Sequence, residues 1–165
     1  MIKIIGIDPG LASTGIGIVS GDGRRIPQFS FGCIATSKKD TLPKRLEQLF
    51  SEILLILQDQ KPNLLVVEDI FSLKAYPKSG INLGKVTGVI LLAGSKMGIP
   101  VVELPVREAK RILTGNGNAT KNQLEKAVRF LLGLKEPIRP YHASDAVALA
   151  IIGMYRYHDN ARKSP

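Results

Sequence analysis

Residues 2–17 read IKIIGIDPGLASTGIG, and this stretch decides the fold. Ile4, Ile5 and Ile7 are β-branched, stiff at χ1 and suited to a pleated surface, so the run predicts a buried strand. Asp8 stands where that strand meets Pro9 and Gly10. Its carboxylate has two readings. It initiates an Asp-Pro turn, or it answers a need for hydrogen bonds, a cation or a metal, because an ionised Asp beside an apolar sheet is costly unless paired.

Working outward, Thr14 to Ser20 reads as a second strand, and Gly21, Asp22 and Gly23 as a hairpin turn. Arg25 to Thr36 supplies a third strand, with Pro27 marking a kink or an edge. Leu42, Leu46, Leu49, Ile53, Ile56 and Leu57 recur at helical spacing up to about Gln60. Asp40 or Thr41 is placed to cap that helix, Pro43 lies in its first turn, and Lys44, Arg45, Glu47 and Glu52 fall on its solvent face. Leu64 to Val67 is too short for an ordinary helix and reads as a buried strand ending in Glu68 and Asp69. Phe71 to Gly80 lacks periodicity and reads as a loop, after which Ile81 to Lys96 resumes a helical pattern broken by Gly84, Gly88 and Gly94. Val101 to Leu104 is a last strand. Helices follow from Pro105 to Leu113, from Lys121 to Leu132 and from His142 to Tyr155, separated by the TGNGNAT turn and a linker at Glu136 to Pro140.

This order predicts an α/β protein whose five-stranded mixed sheet combines an antiparallel meander of three strands with two parallel strands, with helices on both faces. The ribonuclease H-like fold has this order. With 165 residues and 44% hydrophobic content, the expectation is one domain over 1–157 and a polar, disordered tail at 158–165.

The formal net charge of +9 and pI near 9.8 suggest an acidic partner, most simply nucleic acid, since Lys and Arg neutralise phosphates and release counterions. A merely basic, solvated surface is the alternative. No apolar run is long enough for a membrane span and no signal peptide is indicated. Cys33 is the single cysteine, so neither an internal disulfide nor a thiolate cluster can form. A cytoplasmic location fits best.

Four residues stand out against amphipathic patterning. Asp8 and Glu68 end strands. His142 and Asp145, three apart, share a face in the first turn of the last helix, where the positive helix end offsets negative charge. Taken alone, Asp145 reads as an ordinary first-turn acid. Taken together, converging carboxylates repel unless cations intervene, and an oxygen-rich set with one imidazole suits Mg²⁺ or Mn²⁺. Two such ions can activate a water and stabilise the leaving oxygen of a phosphodiester. A basic protein with such a site would be a nuclease.

The blocks GIDPGLASTGIGIV (6–19), LPKRL (42–46), LLVVEDIF (64–71), TGNGNATK (114–121) and ASDAVALAI (143–151) together resemble the RuvC family of bacterial Holliday-junction resolvases, from Ile4 to about Ile152. The resemblance implies a homodimer that cuts four-way junction DNA symmetrically with two Mg²⁺ ions, for which Mn²⁺ can substitute, and branch-migration proteins as further partners. It implies that Asp8, Glu68 and Asp145 are the catalytic, metal-binding carboxylates, and that His142 fills a fourth position that is often Asp. There the imidazole would ligate metal, or position and deprotonate water. Phe71 matches an aromatic residue that the family inserts near the junction centre, although a core phenylalanine capping the strand is an alternative reading. Lys110 and Lys121 match basic positions near the scissile phosphate, or are solvated lysines, and Lys74 joins them as a DNA-binding residue. The chain departs from the family where LGQARG is common and Leu83 to Gly88 reads LGKVTG.

Rival readings are weaker. A ribonuclease H-like nuclease acting on RNA shares the GIDPG opening but would lack the EDIF block, and an actin-like ATPase needs a second domain. The dinucleotide fingerprint fails at its third glycine, and the Walker loop fails where Val86 follows Lys85. A non-catalytic junction-binding protein would have lost a carboxylate, and three remain.

Overall fold

The computed structural model describes residues 1–69 and 77–163. Five strands, β1 (Ile2–Asp8), β2 (Ser13–Gly21), β3 (Gln28–Ala35), β4 (Leu64–Glu68) and β5 (Val101–Leu104), form one sheet in the order β3-β2-β1-β4-β5. β1 to β3 are antiparallel neighbours, while β4 runs parallel to both β1 and β5. Helices α1 (Leu42–Gln60), α2 (Pro77–Lys96), α3 (Val106–Thr114), α4 (Lys121–Leu131) and α5 (Tyr141–Lys163) complete the chain. This is the predicted mixed sheet of the ribonuclease H-like fold.

Alternation of side chains along β1 and β4 divides the core into two layers. Ile5 and Ile7, with Leu65 and Val67, pack against Leu49, Ile53 and Leu57 of α1 and Val86 and Ile90 of α2. Ile4, Leu64 and Val66 face the other way, onto α5 and, beyond it, α3 and α4. A strand buried on both faces needs a continuous apolar run, which both β1 and β4 have.

Three segments differ from expectation. α2 begins at Pro77, not Ile81. Proline's fixed φ suits a first helical position, and its missing N–H costs nothing there. α5 does not stop near Tyr155 but runs to Lys163, so residues 158–163 of the expected disordered tail are helical. No glycine or proline after Gly153 interrupts it before Pro165. The β2–β3 turn is wider than an Asp-Gly hairpin: Asp22 Oδ1 accepts from the backbone N–H groups of Arg24 and Arg25, each at 2.8 Å, and β3 starts only after Pro27. As the position of Pro27 implied, β3 is an edge strand.

Candidate active site

The site depends on how closely α5 lies on the sheet. Gly6 on β1 and Gly15 and Gly17 on β2 face the helix backbone directly. A Cβ at Gly6 would stand 2.0 Å from the carbonyl oxygen of Ala146, one at Gly15 2.0 Å from that of His142, and one at Gly17 2.4 Å from the amide nitrogen of Val147. Only glycine permits this approach. Because Gly15 is the register partner of Asp8, seating α5 on Gly15 sets the first turn of the helix over the end of β1. The glycine alternation in β2 was visible in the sequence, but its purpose depends on which helix crosses it.

His142 Nδ1 and Asp8 Oδ2 are 2.6 Å apart. Asp8, Glu68, His142 and Asp145 line one cavity of about 340 Å³, together with Pro9, Leu83, Lys110 and Lys121. The structure therefore brings six of the eight candidate residues together. Phe71 and Lys74 lie outside the described residues.

Crowded acids hold protons tightly. Burial pushes the Glu68 carboxyl up to about 9, reinforced by a hydrogen bond with Asp8 and by the charges of Asp8 and Asp145. Burial also raises Asp145 to about 6, with the Asp8 charge adding to it and Lys121, His142 and Lys110 opposing. His142 is shifted upward by its hydrogen bond to Asp8, against the effect of its own burial. The positive end of α5 near Asp145 does not cancel the neighbouring carboxylates.

Contacts outside the cavity hold its walls. Thr14 donates to the carbonyl of Gly10 at 2.7 Å, and Thr36 donates to the carbonyl of Leu11 at 2.5 Å. Arg45 then binds Thr36 Oγ1 at 2.7 Å and the Leu11 carbonyl at 3.1 Å. Arg45 was expected on the solvent face of α1, but it is half-buried and ties that helix to the loop following Asp8. Elsewhere, buried Glu125 accepts from the backbone N–H of Ile138 at 2.9 Å and is ion-paired with Arg129 at 3.3 Å. This fixes the linker that delivers His142. Neither brace could be read from sequence, since both join segments far apart in the chain.

Three carboxylates and an imidazole form the donor chemistry of a hard divalent cation. Oδ1 of Asp145 is buried without a hydrogen-bond partner among the described residues, as suits an oxygen intended for a cation. In this conformation no three acid, histidine or cysteine side chains among the described residues surround a common point. His142 and Asp8 are joined by the 2.6 Å contact.

The sequence from residue 4 to residue 153 matches the family model described as crossover junction endodeoxyribonuclease RuvC. A relative of that name from Carboxydothermus hydrogenoformans is 40% identical over 155 residues, which cover 94% of this chain and 97% of the relative. The solved Thermus thermophilus RuvC structure superposes with a TM-score of 0.82 at 29% identity, covering 96% of this chain and 97% of that one. A second Thermus thermophilus structure, RuvC in complex with Holliday junction substrate, gives a TM-score of 0.81 at 27% identity, covering 95% of this chain and 96% of the other. With its fold, its acid-lined cavity and these matches in agreement, this chain belongs to the crossover junction endodeoxyribonuclease RuvC family.

Proposed function

We propose that the chain resolves Holliday junctions by metal-dependent hydrolysis of one phosphodiester in each of two strands of like polarity. The observation that carries this reading is the meeting of Asp8, Glu68, His142 and Asp145 with Lys110 and Lys121 in one cavity. Acids alone would repel DNA, and lysines alone would only bind it. The combination supplies ligands for cations and partners for phosphate oxygens.

Asp8, Glu68 and Asp145 would hold two Mg²⁺ ions, with His142 as a neutral nitrogen donor and Mn²⁺ as an alternative metal. Bound there, the metal would supply an activated water and charge stabilisation for the leaving oxygen. The chain's own residues do the remainder. With Nδ1 of His142 held on Asp8 Oδ2, His142 keeps Nε2 and Asp8 keeps Oδ1 as donors, and Glu68 would give up the proton that burial favours. Lys110 and Lys121 neutralise the non-bridging phosphate oxygens. In the hydrolysis the water oxygen bonds to phosphorus, its proton passes to solvent or a site base, and the bridging P–O bond breaks with protonation of the leaving oxygen. Phe71 and Lys74 are proposed as DNA contacts on the strength of the family pattern.

Two-strand symmetry calls for two active sites, and α2 offers a surface for a second copy. Ile81 and Leu92 on that helix are 60% and 58% exposed. Gly88, between them on the same face, has nothing among the described residues within 4 Å of where a Cβ would stand. A mid-helix glycine costs roughly 1 kcal/mol relative to alanine, and packing among the described residues does not require this one. Close approach of a partner helix would. A cytoplasmic enzyme working with branch-migration proteins completes the proposal. No helix among the described residues is long and apolar enough to cross a membrane.

The test is a synthetic four-way junction with and without Mg²⁺, using wild type and Asp8→Asn. Symmetric nicks by wild type, with Asp8→Asn binding the junction but leaving it intact, are expected. Binding by wild type without any cutting would overturn the nuclease reading, and normal cutting by Asp8→Asn would overturn the site.

A further inference from the structure

The two edges of the sheet are treated differently. β5 is only four residues long, lies between Pro100 and Pro105, and carries the exposed charge of Glu103. Short length, flanking prolines and an edge charge are the usual defences against unwanted strand pairing. β3 has only one of them, Pro27 ahead of its first residue. It runs for eight residues, QFSFGCIA, without a charged residue or proline, and among the described residues it pairs only with β2.

Two further observations suggest that this edge is kept open for use. Gly32, in the middle of β3, has nothing among the described residues within 4 Å of where a Cβ would stand. Glycine weakens a strand and often marks close approach of another backbone, yet among the described residues nothing of this chain comes over the Cβ position of Gly32. Beside the strand, between the sheet and α1, lies a groove of about 330 Å³ whose apolar walls include Ile18, Phe31, Ile34 and Ile56 and whose charged lining residues are Glu52 and Asp59. Those acids accept hydrogen bonds from Gln48 at 2.8 Å and Gln60 at 2.6 Å, and neither is ion-paired among the described residues.

We propose that β3 is a strand-addition site for an extended segment of a partner protein, apolar at alternate positions and carrying Lys or Arg at its flanks. The open edge supplies backbone hydrogen bonds, and the groove takes the inward-facing side chains. Charge selects the occupant. In a chain of net charge +9, an apolar groove whose charged lining residues are the acids Glu52 and Asp59 repels DNA and favours a basic peptide. A second copy of this chain is disfavoured on the same ground. Antiparallel pairing of two β3 strands about a twofold axis would bring both acidic rims onto one face of the joined sheet, where like charges repel.

The probe is a fluorescein-labelled peptide, Lys-Lys-Val-Thr-Ile-Thr-Val-Thr-Lys-Lys, titrated into the full chain and followed by fluorescence anisotropy and by amide hydrogen exchange. Saturable binding, with new protection confined to 28–35, is expected. Glu replacing the four Lys of the peptide should weaken it by about tenfold or more, and so should the double variant E52K/D59K. Gly32→Lys places a charge on the edge where a side chain has room, so it should block binding without unfolding the chain. Junction cleavage should be unchanged in all these variants, because none of the residues lines the acid cavity. The proposal is overturned if the peptide fails to bind at about 1 mM, if E52K/D59K binds it as well as wild type, or if protection falls outside β3. It is equally overturned if the free protein already protects the β3 edge by self-association, or if junction DNA protects it.

Discussion

At Asp145 a buried carboxylate meets the charge of Asp8 and has one oxygen without a hydrogen-bond partner among the described residues. Its rise from 3.8 to about 6 means that ionising it at pH 8 opposes folding. In metal-free protein at pH 8, Asp145→Asn should therefore raise stability by on the order of 1 to 3 kcal/mol, since every tenfold change in proton affinity on folding corresponds to about 1.4 kcal/mol. The gain would be read as a higher urea midpoint with unchanged slope. Cleavage should fall by a factor of about 10² or more, because loss of an outer partner alone typically costs 10- to 100-fold. A variant that gained no stability would show that the charge of Asp145 is already compensated. His142 behaves oppositely. His142→Asp adds a negative charge beside Asp8 in place of a 2.6 Å contact, so the metal-free protein should lose stability while Mg²⁺ binds several-fold more tightly. Titration calorimetry would decide this, with equal Mg²⁺ affinity counting against a weakening role for the imidazole.

The elements are positioned by glycines as much as by apolar side chains. At Gly15 a methyl would meet backbone atoms of His142 at 2.0 and 2.4 Å, and a helix backbone cannot yield as the end of a flexible side chain can. Gly15→Ala should lift the first turn of α5, destabilise the chain by on the order of 3 kcal/mol and separate His142 from Asp8. Gly32→Ala is the matched control on the same sheet. Its Cβ meets nothing within 4 Å among the described residues, so stability should stay equal or rise by a few tenths of a kcal/mol. Thermal unfolding of the two variants checks both expectations. The wall contacts work at the same level. Arg45 joins α1 to the Leu11 and Thr36 region, and Glu125 joins α4 to the linker before α5, so the cavity is braced on two sides.

For the whole molecule, the raised carboxyls make stability depend on pH and metal together. Glu68 and Asp145 titrate at about 9 and about 6 in the folded chain against ordinary values of 4.5 and 3.8. Between the ordinary and folded values the native state binds more protons than the unfolded state, so stability falls as pH rises. The upward shift of His142 acts in the same direction, because the stability from its protonated form is lost as pH rises through its folded value. Without metal, the melting temperature should decline from about pH 5 to pH 9. Mg²⁺ binds the ionised acids and should offset the decline most at the alkaline end. Scanning calorimetry at several pH values, with and without Mg²⁺, measures this, and a flat metal-free profile would contradict the acid-crowding picture. The sequence by itself determined the strand and helix order, the two-faced core of β1 and β4, and the identities of Asp8, Glu68, His142 and Asp145 as candidates, because periodicity and strand-end position are local properties. Only the tertiary structure decided that α5 rests on Gly6, Gly15 and Gly17, that Arg45 and Glu125 brace the cavity, and that α2 and α5 extend beyond their sequence-read ends. Those are contacts between distant segments, or responses to packing. Asp8, at a strand tip, acquires its chemistry only when a helix more than 130 residues later in the chain is laid across it at backbone distance.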